Sequence, residues 1–284
     1  MVLDIEFAVF VIGCVLSIAV ECEDDIQYSF AGKGLTEIPQ DIPQDVAHIH
    51  LNSNSITTIG ANAFSNFSEL VWLDMNSNKI DVIHDDAFSG LYKLSFLNLR
   101  GNRLQEVPKL EGLTLSDLIL EQNKIQLKEE DFENATIKFL LINNNQINGN
   151  LSAISNLADS LLELYINNNP LGKSSPAELY NLIKSLTKAT WINMEYCGIT
   201  SIPDVRPIPR ITFGLIGNPF SCDCRISWTS EVPINYYDGF RCVSQPSDSL
   251  YEALCPVRHW MRTCSSLTVR MGQEVFPFMS LCRR

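Results

Sequence analysis

One phrase constrains this chain more than any other: Leu94-Ser-Phe-Leu97-Asn-Leu99-Arg-Gly-Asn102-Arg-Leu104, which reads L-x-x-L-x-L-x-x-N-x-L. Alone it is weak. The chain repeats it in register, with unit starts at Val46, Leu70, Leu94, Leu115, Ile137, Leu161, Ala189 and Arg210, spaced 24, 24, 21, 22, 24, 28 and 21 residues. The ninth position holds Asn54, Asn78, Asn102, Asn123, Asn145, Asn169, Cys197 and Asn218. A fixed short period is the signature of a solenoid, in which each unit buries its apolar face only against its neighbours.

The chemistry of the unit follows from the strand period of two. Positions 4 and 6 point to one face and are the predicted core, from Ile49 and Leu51 through Leu97 and Leu99 to Phe213 and Leu215. The chain then turns, which leaves backbone groups inside without a ladder partner. An Asn amide both donates and accepts, so a column of Asn can satisfy them. Cys197 breaks that column; as a small, weakly bonding thiol it is predicted to be buried and unpaired. The return halves (Ile59, Phe64 and Phe67; Val82, Ile83, Phe88 and Leu91) read as loop or short 3₁₀ turn. The exception is Pro176–Leu186, where Leu179, Leu182, Ile183 and Leu186 fall at helical spacing. The expected fold is thus an α/β solenoid, a right-handed horseshoe with a parallel sheet on its concave face and a mostly irregular convex side.

The ends differ from the units. Residues 7–20 are apolar over about 14 positions, short of the roughly 20 that span a bilayer. With Ser17 and Ala19 before a plausible cleavage point, residues 1–19 read as a secretory signal, although Asp4 and Glu6 replace the usual basic start. Residues 20–45 read as an N-terminal cap, 46–216 as about eight repeats, 217–265 as a cysteine-rich cap and 266–284 as a basic tail. Six of nine cysteines crowd into 222–282, as expected for a secreted chain. Asn66, Asn134 and Asn150 head sequons usable for glycosylation in that pathway. No segment after the leader is long and apolar enough for an anchor.

These units resemble the extracellular leucine-rich repeat of 24 residues, and Asn218-Pro-Phe-Ser-Cys222-Asp-Cys224 resembles the family's cysteine-rich C-terminal flanking module. The resemblance covers about residues 33–265. It implies disulfides Cys222–Cys242 and Cys224–Cys264, each contributing roughly 2–4 kcal/mol and sealing the stack. The extra pair, Cys255 and Cys282, is expected to bond together and pin the tail. The chain departs from the family in lacking paired N-terminal cysteines. Cys22 is left over, either free or linking two chains in a disulfide-bonded dimer. Short repeats with a cysteine-poor start also resemble secreted arthropod proteins of this family that serve as non-catalytic enzyme subunits.

Function is sought on the open face, at positions 3 and 5. Trp72, Phe96, Phe139 and Trp191, with Ile119, Leu141 and Tyr165, form a predicted apolar stripe with Asn98 and several acids at its rim. Exposed aromatics in a column are typical anchors at protein interfaces. A net charge of −12 argues against nucleic acid, which needs clustered Lys and Arg. No phosphate loop, G-x-S-x-G or H-E-x-x-H is present. His48, His50 and Asp74 share one end of the face, yet two imidazoles and one carboxylate fall short of a metal site. The reading is a non-catalytic, cofactor-free, secreted binding module for a protein ligand; the alternative is an accessory subunit that stabilises or presents a secreted enzyme.

Overall fold

The computed structural model describes residues 26–204 and 211–221, together with the backbone of 241–244, 268–271 and 274–277. The expected leader, Cys22, and every side chain from Cys222 onward, including the six clustered cysteines and the basic tail, lie outside the described residues.

In chain order the strands are β1 (Gln27–Ser29), β2 (His48–His50), β3 (Thr58–Ile59), β4 (Trp72–Asp74), β5 (Val82–Ile83), β6 (Phe96–Asn98), β7 (Thr114–Ile119), β8 (Thr136–Leu141), β9 (Glu163–Tyr165), β10 (Trp191–Asn193), β11 (Thr212–Gly214), β12 (Pro219–Ser221), β13 (Arg241–Ser244), β14 (Thr268–Met271) and β15 (Glu274–Pro277). Nine of them form one parallel sheet in the order β1-β2-β4-β6-β7-β8-β9-β10-β11. Every predicted unit supplies one strand, and like positions pair: His48 with Trp72, Trp72 with Phe96, Phe96 with Asp117 and so on to Trp191 with Thr212. The ninth strand, β1, comes from the N-terminal segment. It pairs Tyr28 with Ile49, so residues 26–45 act as a unit without the motif's Asn.

Positions 4 and 6 of all eight units are buried, and they make one continuous core with the return-side Phe64, Phe88, Leu110, Phe132 and Leu157. Each fully buried Leu or Ile adds on the order of 2 kcal/mol. Stacking repeats this along the whole sheet.

The Asn column is as its chemistry requires. Asn102 Oδ1 accepts from the Ile80 N–H at 3.0 Å, and its Nδ2 donates to the carbonyls of Met75 at 3.1 Å and Leu99 at 2.9 Å. One amide thus bonds its own turn and the turn before it. Asn78, Asn123, Asn145 and Asn169 repeat the pattern. Asn54 extends it into the cap through the Leu35 N–H and the Phe30 carbonyl. The residue before each of these turns into the left-handed region: Ser53, Ser77, Gln122, Asn144, Asn168 and Tyr196 have φ between 52° and 58°, with Gly101 and Gly217 in the same place. Tyrosine is the least usual of these there, being bulky and lacking the local backbone bonds that favour Asn in that region.

The seventh unit breaks the column. Cys197 is buried, and its thiol meets the carbonyls of Ile166 and Glu195 at 3.5 and 3.3 Å, weak bonds in place of the amide's. The backbone closes in instead. The Gly172 N–H donates to the Cys197 carbonyl at 2.9 Å, and a Cβ on Gly172 would lie 2.1 Å from the Gly198 oxygen. Burial pushes the Cys197 thiol up to about 11.

The return side follows unit length. The two 24-residue units at the start pair β3 with β5. The fifth unit has a 3₁₀ helix, Leu151–Leu157. The 28-residue unit has room for the predicted helix, α1 (Pro176–Ser185), whose Ser175 Oγ caps the Glu178 N–H at 3.1 Å. Leu179, Leu182, Ile183 and Leu186 are all buried. Near the end, β12 pairs in parallel with β13, and β14 with β15 in antiparallel. Among the described residues no helix is long and apolar enough to cross a membrane.

Replacing Asn102 by Ala leaves a buried N–H and two carbonyls unsatisfied, so it is expected to cost about 2–4 kcal/mol in urea unfolding. Cys197 should resist a thiol reagent in the native protein and react once urea unfolds it, since the thiolate is the reactive form.

Candidate functional site

The open face of the sheet carries positions 3 and 5, and the register sets like positions on neighbouring strands about 4.8 Å apart. Trp72, Ile119, Phe139, Leu141, Tyr165 and Trp191 are half-buried on it. Phe96 differs from the expectation of an exposed anchor. It is only 8% exposed, because the Trp72 indole lies flat on it, with ring centroids 3.4 Å apart and planes 7° apart. His48 packs on the other side of Trp72 at 6.2 Å. At this end the rings cover one another, and His48 and Trp72 are left half-buried. The Trp72 Nε1 is buried and finds no acceptor among the described residues.

Asn98 is also more occupied than expected. Its Oδ1 accepts from the Arg100 N–H at 3.0 Å, two residues on. Asp74 does the same for the Asn76 N–H at 3.0 Å, and Asn193 for the Glu195 N–H at 3.0 Å. These side chains close the turn that ends each strand, a local bond that Asn and Asp make readily. Asp74 also takes the Asn76 amide at 2.7 Å, so its carboxylate is engaged by its own turn. Among the described residues no group of three or more His, Cys, Asp or Glu is placed to hold a metal ion.

The middle of the face is acidic. Asp117 and Glu163 flank Phe139 in register, and the Tyr165 hydroxyl donates to Glu163 Oε2 at 2.8 Å. Burial and this bond hold the Tyr165 proton well above its usual range. Glu121 pairs with Arg100 at 3.3 Å, yet burial still raises its carboxyl. Burial raises Glu195 as well. Gly214 leaves room for this crowding: a Cβ there would meet Asn193 Oδ1 at 3.1 Å and Glu195 Oε1 at 3.2 Å.

One surface residue was missed by the motif reading. Tyr196 stands in the left-handed turn at the rim, 58% exposed, with its ring laid over Gly217. The available signal was an aromatic in a column otherwise filled by Ser, Gly, Gln and Asn. On the return side, the 21-residue third unit is too short to extend the β3–β5 pair. It leaves a groove of about 340 Å³ beside Val82, Ile83, Val107 and Pro108, bridged by the Lys128–Glu106 ion pair. Asp131 lines it. Burial pushes its carboxyl up to about 6, although it accepts the Lys128 N–H at 2.7 Å. The sequon residues Asn66, Asn134 and Asn150 are exposed and lie off the sheet, the first two in turns and the third at the start of the 3₁₀ helix. Asn150 Nδ2 is engaged with the Leu127 carbonyl at 2.7 Å.

A family model described as leucine rich repeat matches residues 44–104, and a second of the same description matches 160–182. Among solved structures, the chain is similar to TLR13 in its complex with ssRNA13, at 27% identity and TM-score 0.55 over 70% of this chain. It spans only 29% of that chain's length. It is also similar to human 5T4, a trophoblast glycoprotein, at 19% identity and TM-score 0.53, covering 77% of this chain and 87% of that one. A chain of the octameric complex of Latrophilin 3, Unc5D and FLRT2 matches at 22% identity and TM-score 0.60, over 77% of each.

A folded-state carboxyl that titrates above its ordinary value binds its proton more tightly folded than unfolded. Asp131 therefore lends stability as pH falls from about 7 towards 4, and costs stability above that. Asp131→Asn keeps the acceptor for Lys128. It should raise Tm at pH 7 by up to about 3 °C and flatten the dependence on pH, read by thermal melts at several pH values. Together the motif, the sheet register and these matches make the chain a leucine-rich-repeat solenoid.

Proposed function

We propose that this protein is a secreted, non-catalytic binding module that docks a protein partner on the open face of its sheet. The observation that carries this reading is the in-register array of half-exposed Trp72, Phe139, Tyr165 and Trp191 on a face that no other described element covers. Large rings presented this way are the usual anchors of protein interfaces. The acids among them, with a net charge of −12, favour a protein over a polyanion such as the RNA of the TLR13 complex. Sequons at Asn66, Asn134 and Asn150 would carry glycans off the sheet and leave this face clear.

The remaining parts of the proposal are a cleaved leader at 1–19, a C-terminal cap at 217–265 closed by Cys222–Cys242 and Cys224–Cys264, and a tail pinned by Cys255–Cys282. Where the partner is an enzyme, the same face would make this chain its accessory subunit. Purification from the native secretion distinguishes the two by whether a stoichiometric enzyme accompanies the chain.

The triple variant Trp72→Ser, Phe139→Ser and Trp191→Ser should be secreted, yet lose capture of the natural partner by about 100-fold or more, as removal of several anchors does. The double variant Phe139→Ser and Trp191→Ser spares the Trp72–Phe96 stack and checks that folding is not the cause. Full capture by both variants rejects the proposal.

A further inference from the structure

Along position 3 the face alternates in character. Phe96, Asp117, Phe139, Glu163 and Trp191 follow one another on adjacent paired strands. With strands about 4.8 Å apart, acids lie roughly 9.6 Å from each other, and so do successive rings. On the inner side of a curved sheet side-chain tips converge, so this spacing is an upper bound. Neither Asp117 nor Glu163 is in an ion pair among the described residues. Glu163 is held in place by the Tyr165 hydroxyl at 2.8 Å. That bond fixes the direction in which the Glu163 carboxylate faces.

We infer that the partner inserts an extended cationic segment, in polyproline II conformation, with Lys or Arg at every third residue. This rests on the reading that the open face is the docking surface, and it names what that face selects. A polyproline II strand rises about 3.1 Å per residue, so residues three apart lie about 9.3 Å apart on one side. That matches the repeat of acids across the sheet. A β-strand presents like-facing residues about 6.7 Å apart and a helix about 6 Å apart, one turn on, so both fall further short of the acid spacing than polyproline II does. The rings between the acids suit such a ligand, since aromatic-lined grooves take proline and aliphatic surface. Tyr165, Ile119 and Leu141, one row over, extend the apolar floor beneath it. Cations set between carboxylates and aromatic faces gain from both.

The test uses the full secreted chain and fluorescein-labelled peptides of about twelve residues, read by anisotropy at two salt concentrations. The first peptide repeats Arg-Pro-Pro. The second repeats Glu-Pro-Pro. The third has the composition of the first with its arginines clustered at one end. The first should bind at least about tenfold more tightly than either other peptide. Asp117→Asn with Glu163→Gln should remove that advantage and weaken its dependence on salt. Equal binding of the clustered or acidic peptide overturns the inference, and so does absence of binding by all three. If the peptides fail while Phe139→Ser with Trp191→Ser still loses the natural partner, the docking face stands and only the cationic ligand falls. If that variant keeps the partner, both fall.

Discussion

The structure depends on one hydrogen-bonded group used over and over: an asparagine amide that ties the turn it sits in to the turn before it. A strand that leaves a sheet after three residues strands its backbone inside the stack, where water cannot reach. Each buried Asn resolves that with one acceptor and two donors at about 3 Å. The hydrophobic core supplies more energy in total and fixes which face is buried. The amide adds a one-to-one match between turns, because it accepts from one particular N–H and donates to two particular carbonyls. It therefore sets the phase in which the aromatic and acidic residues of the open face line up.

What was legible in the sequence was whatever the backbone demands locally. The buried positions, the Asn column, the isolated Cys197 and the helix after Ser175 all follow from spacing, and the structure has them where spacing puts them. The first strand was less legible. Tyr28 and Phe30 occupy core positions, but Lys33 stands where the motif has Asn, and among the described residues no earlier strand pairs with that unit. Its own groups are served by Asn54.

The open face was legible in membership and not in detail. Which residues share it follows from alternation. How they use their atoms depends on neighbours about 24 residues away. Phe96 is covered by Trp72 because two rings on paired strands lower their exposed area by lying flat together. Asn98 looks free in a list of face residues, but its oxygen is taken by the turn two residues later. Tyr196 was invisible to the motif because its position is defined by a backbone angle and not by a side-chain type.

The seam at Cys197 has a mechanical consequence. In a one-dimensional array, cooperativity travels through the coupling between neighbours. Elsewhere that coupling includes an amide bonded to both turns. Here a polarisable thiol takes the amide's place beside two glycines drawn into backbone contact, while the strand ladder runs on unbroken. Among the described residues, the step from the sixth unit to the seventh is therefore held by backbone and core without the amide. Tyr196 and Trp191 stand on the seventh unit, directly beyond that step, so a ligand reaching from them to Tyr165 on the sixth would bridge it.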